Sequence, residues 1–192
     1  MDIINAKCRK IHEKDLERLM CWRMLPEITK YMNTDPKLTM EGQKKWYQKI
    51  QEEEKREKLE RSFYYWLLEV DDVPAGFVSL VDINWSERKV CTGVYIAEKS
   101  KKSLRLILDV QWNLYRYSFE VLGMHKVSEE VFEENRAVNR ILDMCGSQRE
   151  GVLRHHVLKD GVYYNVVTRG ILEEEWLEKK KTLEYNLIEF ED

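Results

Sequence analysis

The stretch 104–122 constrains this chain more than any other. Ile107, Val110, Leu114, Tyr117 and Val121 recur at steps of three and four, and Leu108, Trp112, Tyr115, Phe119 and Leu122 form a second stripe beside them. Arg105, Asp109, Asn113, Arg116 and Glu120 keep to a third, polar face. A helix with so wide an apolar arc must bury most of its girth, and a sheet is a surface broad enough to receive it. Gly123 follows as a C-terminal cap, where glycine enters the left-handed conformation at little cost.

The flanking segments supply that sheet. Residues 7–11 alternate weakly, as a first strand. Residues 14–32 read as helix, bent where Pro26 interrupts it, and a second helix opens at Thr39 or Met40 with Trp46, Tyr47 and Ile50 on its apolar side. The charged run 52–61 reads as a solvated helix end or an exposed loop. Residues 63–70 and 75–83 flank Asp71-Asp72-Val73-Pro74 as a hairpin, and 89–96 is a third strand of that meander. After the long helix come a strand at 125–132, a helix at 135–145 closed by Gly146, and strands at 152–158 and 162–172 that turn on Lys159-Asp160-Gly161. A central strand-helix-strand unit implies a parallel pair, so the class is α/β with a mixed sheet. Residues 1–175 read as one domain and 176–192 as a charged C-terminal tail.

Composition closes several alternatives. The 32 basic and 35 acidic residues leave a net charge of −3, which argues against nucleic acid, since phosphate binding needs an uncompensated basic face. No apolar run approaches the roughly 20 residues that cross a bilayer, so no membrane partner is expected. Residues 1–14 lack the apolar core of a signal peptide. Cys8, Cys21, Cys91 and Cys145 lie far apart and read as reduced, small buried side chains in a cytoplasmic protein. His155 and His156 are strand neighbours that face opposite ways, so no metal site is expected.

The run from His125 through Phe132 to Asn135, the helix to Gly146, and the run from Glu150-Gly151 through Arg154 and Gly161 to Asn165 resemble the GNAT superfamily of acetyl-CoA-dependent N-acetyltransferases. The likeness is greatest to the branch of ribosomal-protein and amino-sugar-nucleotide N-acetyltransferases. Trp22-Arg23, Pro26-Glu27-Ile28 and Tyr31-Met32 resemble the first-helix pattern of enzymes that acetylate the 4-amino group of a UDP-linked sugar. The resemblance implies a GNAT-like mixed, mostly antiparallel sheet, flanked by helices and split between its fourth and fifth strands, which part near Ile96 and Val127. Acetyl-CoA, the cosubstrate, would lie in that split, with its arm on backbone near Tyr95 and Ile96. Its pyrophosphate would meet the loop that carries Lys101, Lys102 and Ser103, and Asn135 matches the family asparagine that helps to hold it.

Two departures accompany the resemblance. The loop 98–104 carries no glycine where the family uses several, so the lysines 99–102 read either as phosphate contacts or as a solvated charge run. Seven residues after Asn135, where many relatives place a tyrosine that protonates the leaving thiolate, this chain has Leu142. Glu130, at the family's acidic position on the fifth strand, is the candidate base, or else a structural ion pair or a solvated side chain. Glu129 points to the opposite face by alternation, and Asp82 and Glu87 are further candidates.

Trp22, Arg23, Tyr31 and Met32 match the segment that walls the acceptor pocket, although Trp22 and Met32 read equally as helix packing. Arg23 suits an acceptor phosphate or carboxylate. The implied activity is acetyl transfer to a primary amine on a small molecule such as an amino-sugar nucleotide, without metal. Protein N-terminal acetylation is the near rival, and a non-catalytic acyl-CoA-binding module is the rival of another class. The edge of the last hairpin offers a homodimer contact.

Overall fold

A computed structural model describes residues 4–32 and 37–192. Strands β1 (Ala6–Arg9), β2 (Tyr64–Val70), β3 (Val73–Asn84), β4 (Lys89–Ile96), β5 (Lys126–Phe132), β6 (Gln148–Lys159), β7 (Val162–Leu172) and β8 (Glu189–Phe190) form one sheet in the order β6-β7-β5-β4-β3-β2-β1-β8. The pairs are antiparallel except β4 with β5 and β1 with β8. The aromatic and branched runs of β2 and β3 favour the pleat, and their buried positions follow from having helices on both faces.

On one face lie α4 (Leu104–Arg116) and α5 (Arg136–Cys145), with α6 (Glu173–Lys180) behind them. Ser103 caps α4 by accepting the Leu106 N–H at 3.1 Å. The helix continues into a wider π turn over Tyr117–Val121, so the expected 104–122 helix is continuous but loosens at its end. Val110, Leu114, Tyr115 and Trp176 are fully enclosed in the core beneath. On the other face, α1 (Leu16–Arg23), α2 (Pro26–Thr29) and α3 (Met40–Glu54) cover a smaller core of Ile11, Leu16, Leu19, Ile50 and Leu67. Pro26 breaks α1 from α2, as its fixed φ and missing N–H require.

The expected tail at 176–192 is instead built into the fold. Trp176 is 0% exposed and Ile188 1%, and β8 pairs with β1. The face of α4 that reads as polar receives this segment. Asp109 and Asn113, both 0% exposed, bond Asn186 and Ile188, and Arg105 and Arg116 donate to the carbonyls of Glu184 and Ile188. Periodicity marks a face as polar; it does not say whether water or backbone will satisfy it. Within the charged run 52–61, likewise, Glu53 turns inward and accepts the Ser62 N–H.

The sheet divides at its parallel pair. β4 and β5 match at Lys89 with Lys126, Val90 with Val127 and Cys91 with Ser128, and there the pairing stops. Each lip is backed by a ladder that continues on its far side, to Ile96 against β3 and to Phe132 against β7. The parting therefore begins beyond Ser128, and Val127, expected at the opening, is still paired.

Candidate functional site

Where β4 and β5 separate, a cleft of about 560 Å³ opens between them. Strand geometry sorts its lining. The Arg88 carbonyl accepts N–H groups from His125 and Lys126 on the β5 side, while the Ala97 N–H turns to Ala75 beside β3. Alternation along β4 then directs the amides and carbonyls of Thr92, Val94 and Ile96 into the cleft, where no strand among the described residues meets them. Their side chains lie toward α4, and Gly93 and Tyr95 face the α1–α3 side. The lips can thus bond an amide-bearing chain as a strand would. Ile96 offers its backbone, whereas Tyr95 contributes its ring, stacked on Phe77 at 5.5 Å. Burial pushes the Tyr95 hydroxyl well above its usual range.

At the outer end, Lys102 lines the cleft beside the start of α4. The first N–H groups of a helix lack intrahelical partners and attract anions. Here the Ser103 hydroxyl takes the Leu106 N–H, and Glu98 takes that of Ser100 at 3.1 Å. The Leu104 and Arg105 amides remain as donors. Lys101, expected at the same anion, instead pairs with Asp71 at 2.8 Å, and Ser103 is occupied as the cap. Lys99 pairs with Glu27 of α2 at 3.0 Å. Asn135 lines the cleft while its Oδ1 accepts the Val138 N–H to cap α5. The cleft as built fits acetyl-CoA through strand edge, helix start, Lys102 and Asn135. Leu142 lies in the lining too.

On the α1–α3 side stand Arg23, Tyr31, Met32 and Glu130. Glu130 is exposed and makes no ion pair among the described residues. Arg23 makes no hydrogen bond there either, and its Nε is buried without a partner. Tyr31 meets Phe132 at 6.4 Å, and Phe132 meets Tyr164 at 5.4 Å. Lys159 clamps this corner by donating to the carbonyls of Thr29 and Met32 at 2.5 and 3.2 Å. Trp22, expected in the pocket, packs against the smaller core with Arg18 5.9 Å from its ring.

Several lining groups lay outside the sequence expectations. Glu129 is 4% exposed and accepts from Tyr115 Oη at 2.6 Å, Ser147 Oγ at 2.7 Å and Gln111 Nε2 at 3.4 Å. Burial raises its carboxyl above the ordinary range, against those hydrogen bonds and the Arg169 charge. Gln111 also reaches Thr92 Oγ1 at 3.2 Å. An acid on the strand face turned toward an apolar helix was the available signal. Cys91, at the last pair, has a thiol that burial pushes up to about 11, so it is no nucleophile at neutral pH. No cluster of metal-ligating side chains occurs among the described residues, and no helix there is long and apolar enough to cross a membrane.

Residues 7–148 match the family model described as "Acetyltransferase (GNAT) domain". The chain is 38% identical over 56 residues to the uncharacterized N-acetyltransferase YoaA of Bacillus subtilis, covering 29% of this chain and 32% of that protein. It is 28% identical over 122 residues to spermidine N(1)-acetyltransferase of Escherichia coli K12, covering 60% of this chain and 62% of that protein. These matches span less than two thirds of either relative. Spermidine N-acetyltransferase from Vibrio cholerae, solved in complex with CoA and spermine, superposes with a TM-score of 0.78 at 22% identity, covering 90% of this chain and 98% of that one. At that identity the likeness is one of fold.

Proposed function

Because the chain belongs to the GNAT acetyltransferase family, we propose that it transfers the acetyl group of acetyl-CoA to a primary amine on a small molecule. The observation that carries this is the unzipped pair: β4 and β5 stop pairing at Cys91 and Ser128 while both remain braced from behind. Such a slot holds an extended amide arm without moving backbone, so the ordering cost is already met by the fold. The Val94 N–H, nearer the closed end of the slot, then faces the thioester oxygen, where charge develops as the amine attacks.

An alkyl ammonium must lose a proton first, and Glu130 is the acceptor-side carboxylate placed to take it, directly or through water. The guanidinium of Arg23, which has no partner among the described residues, favours an acceptor that carries phosphate or carboxylate near its amine, as an amino-sugar nucleotide does. A second reading is a polyamine acceptor, favoured by the matched relatives named spermidine N(1)-acetyltransferase. Four free cysteines suit a reducing cytoplasm. A second copy would pair along the free edge of β6.

Calorimetry and thermal shift with CoA and acetyl-CoA test the slot, since a ligand bound only by the native state raises the midpoint. Thiol release is then followed with 4-amino-sugar nucleotides, spermidine and N-terminal peptides. Turnover of the sugar nucleotide alone supports the Arg23 argument, and turnover of spermidine alone the polyamine reading. No CoA binding at millimolar ligand would defeat both.

A further inference from the structure

We infer that the buried carboxyl of Glu129 is the acid that protonates the leaving thiolate. The inference rests on the transferase reading above. It starts from position: Ser128 is the last paired residue of β5, so Glu129 stands where the slot closes. A chain entering beside α4 and running along β4 from Ile96 toward Thr92 ends at that closure.

Beyond Thr92 and Gln111 at its inner end, the wall on the α4–α5 side is built from the apolar Val94, Ile96, Ile107, Ile141 and Leu142. Glu129 is the only carboxyl on this wall among the described lining residues. Its Oε1 accepts from Tyr115 and Gln111, and its Oε2 from Ser147. Gln111 also bonds Thr92, so a polar floor runs from β5 to β4 across the end of the slot.

Burial favours the neutral form of a carboxyl enclosed this way, and it outweighs the opposing hydrogen bonds from Tyr115 and Ser147 and the Arg169 charge enough to raise the pKa. Among the described residues it has no ion pair. Arg169, its cross-strand partner on β7, donates instead to Asp143 and to the Ser147 carbonyl. The other titratable groups facing it are Tyr115 on α4, Cys145 on α5, Glu150 on β6 and Cys91 on β4. Burial drives the Tyr115 hydroxyl far up, so Tyr115 orients the carboxyl and does not replace it as donor.

The step balances. The acceptor nitrogen forms a bond to the thioester carbonyl carbon, the C–S bond breaks, and sulfur leaves with the electron pair. Sulfur takes the Glu129 proton, and the new carboxylate is held by Tyr115, Ser147 and Gln111. The acceptor's proton passes to Glu130 or solvent, and water reprotonates Glu129 as the slot empties.

The test compares wild type with Glu129→Gln, using acetyl-CoA and whichever panel amine turns over. Expected are a loss in kcat of about 100-fold or more, a KM for acetyl-CoA within about twofold, and disappearance of the alkaline fall in the kcat profile. Tyr115→Phe keeps the acid and should lose less while moving that limb. Carbon-13 NMR of protein labelled at the glutamate carboxyl gives a readout apart from turnover, and it decides the matter if the Gln variant does not fold. The Glu129 signal should titrate above the usual glutamate range and shift when CoA binds. A folded Gln variant with wild-type kcat and pH profile overturns the inference, as does a Glu129 signal that titrates normally. Wild type inactive on every amine defeats instead the reading on which it rests.

Discussion

Asn113 holds Ile188 as a neighbouring strand would: its Oδ1 accepts the Ile188 N–H at 3.0 Å, and its Nδ2 donates to the Asn186 carbonyl at 2.8 Å. A helix side chain thereby supplies both halves of a ladder rung and fixes the final segment over α4. Replacing Asn113 with Ala leaves buried donor and acceptor unpaired, at an expected cost of about 2 kcal/mol. Urea unfolding reads the loss. Hydrogen exchange at the Ile188 amide should accelerate, with CoA affinity unchanged.

Arg9 ties β1 to the turn before α1. Its Nε donates to Glu69 at 2.6 Å and its two Nη groups to Asp15 at 2.7 and 2.9 Å. Arg9→Met leaves the nearly buried Asp15 carboxylate without a cation and Glu69 with only Lys7, 3.4 Å away, and about 3 kcal/mol of stability should be lost at pH 7. Burial works against the Asp15 carboxylate, but the Arg9 and His12 hydrogen bonds outweigh it and hold its pKa below the ordinary 3.8. A lowered carboxyl stabilises above its unfolded value and loses that contribution as pH falls through its folded value. The difference between wild type and Arg9→Met, followed by thermal unfolding, should therefore shrink below pH 4.

Glu129 has the opposite sign. Its folded pKa lies above the ordinary 4.5, chiefly through burial. The stabilising contribution is complete below that value and is lost as pH rises through the folded one. Wild-type stability minus that of Glu129→Gln should decline steadily from pH 4.5 upward. A flat difference in paired melts from pH 4 to 9 would contradict the raised pKa.

Arg23 tests the acceptor. Arg23→Met keeps the packing stem but removes the guanidinium, whose Nε is buried without a partner among the described residues. For an acceptor bearing phosphate or carboxylate, KM should rise about tenfold, equivalent to about 1.4 kcal/mol. For a polyamine, the same change should lower KM or leave it unaltered. Steady-state kinetics on both acceptors checks it.

Much of the frame was legible in sequence because it rests on short-range pattern. The strand expected at 89–96 matches Lys89–Ile96, and that expected at 162–172 matches Val162–Leu172. Glycines 123 and 146 end helical segments with φ of 65° and 96°. Cleft residues on predicted strand or helix ends, such as Ile96, Asn135 and Glu130, were also within reach. Lys101, Ser103 and Trp22 stand outside the cleft lining, each engaged elsewhere, respectively with Asp71, the α4 amide of Leu106 and the smaller core. A residue's type announces what it can bond, not which neighbour arrives first.

Periodicity, capping and turn chemistry operate over a few residues, so the order of elements, the mixed sheet and the apolar girth of α4 could be read from one dimension. Contacts between distant segments could not. Asn113 meets Ile188 75 positions away, and Glu129 meets Tyr115, Gln111 and Ser147 only because two helices and a strand converge on it. Burial, and with it the raised pKa of that carboxyl and the covering of the polar face of α4, belongs to the assembled layers: it depends on what stands opposite, which no local pattern encodes.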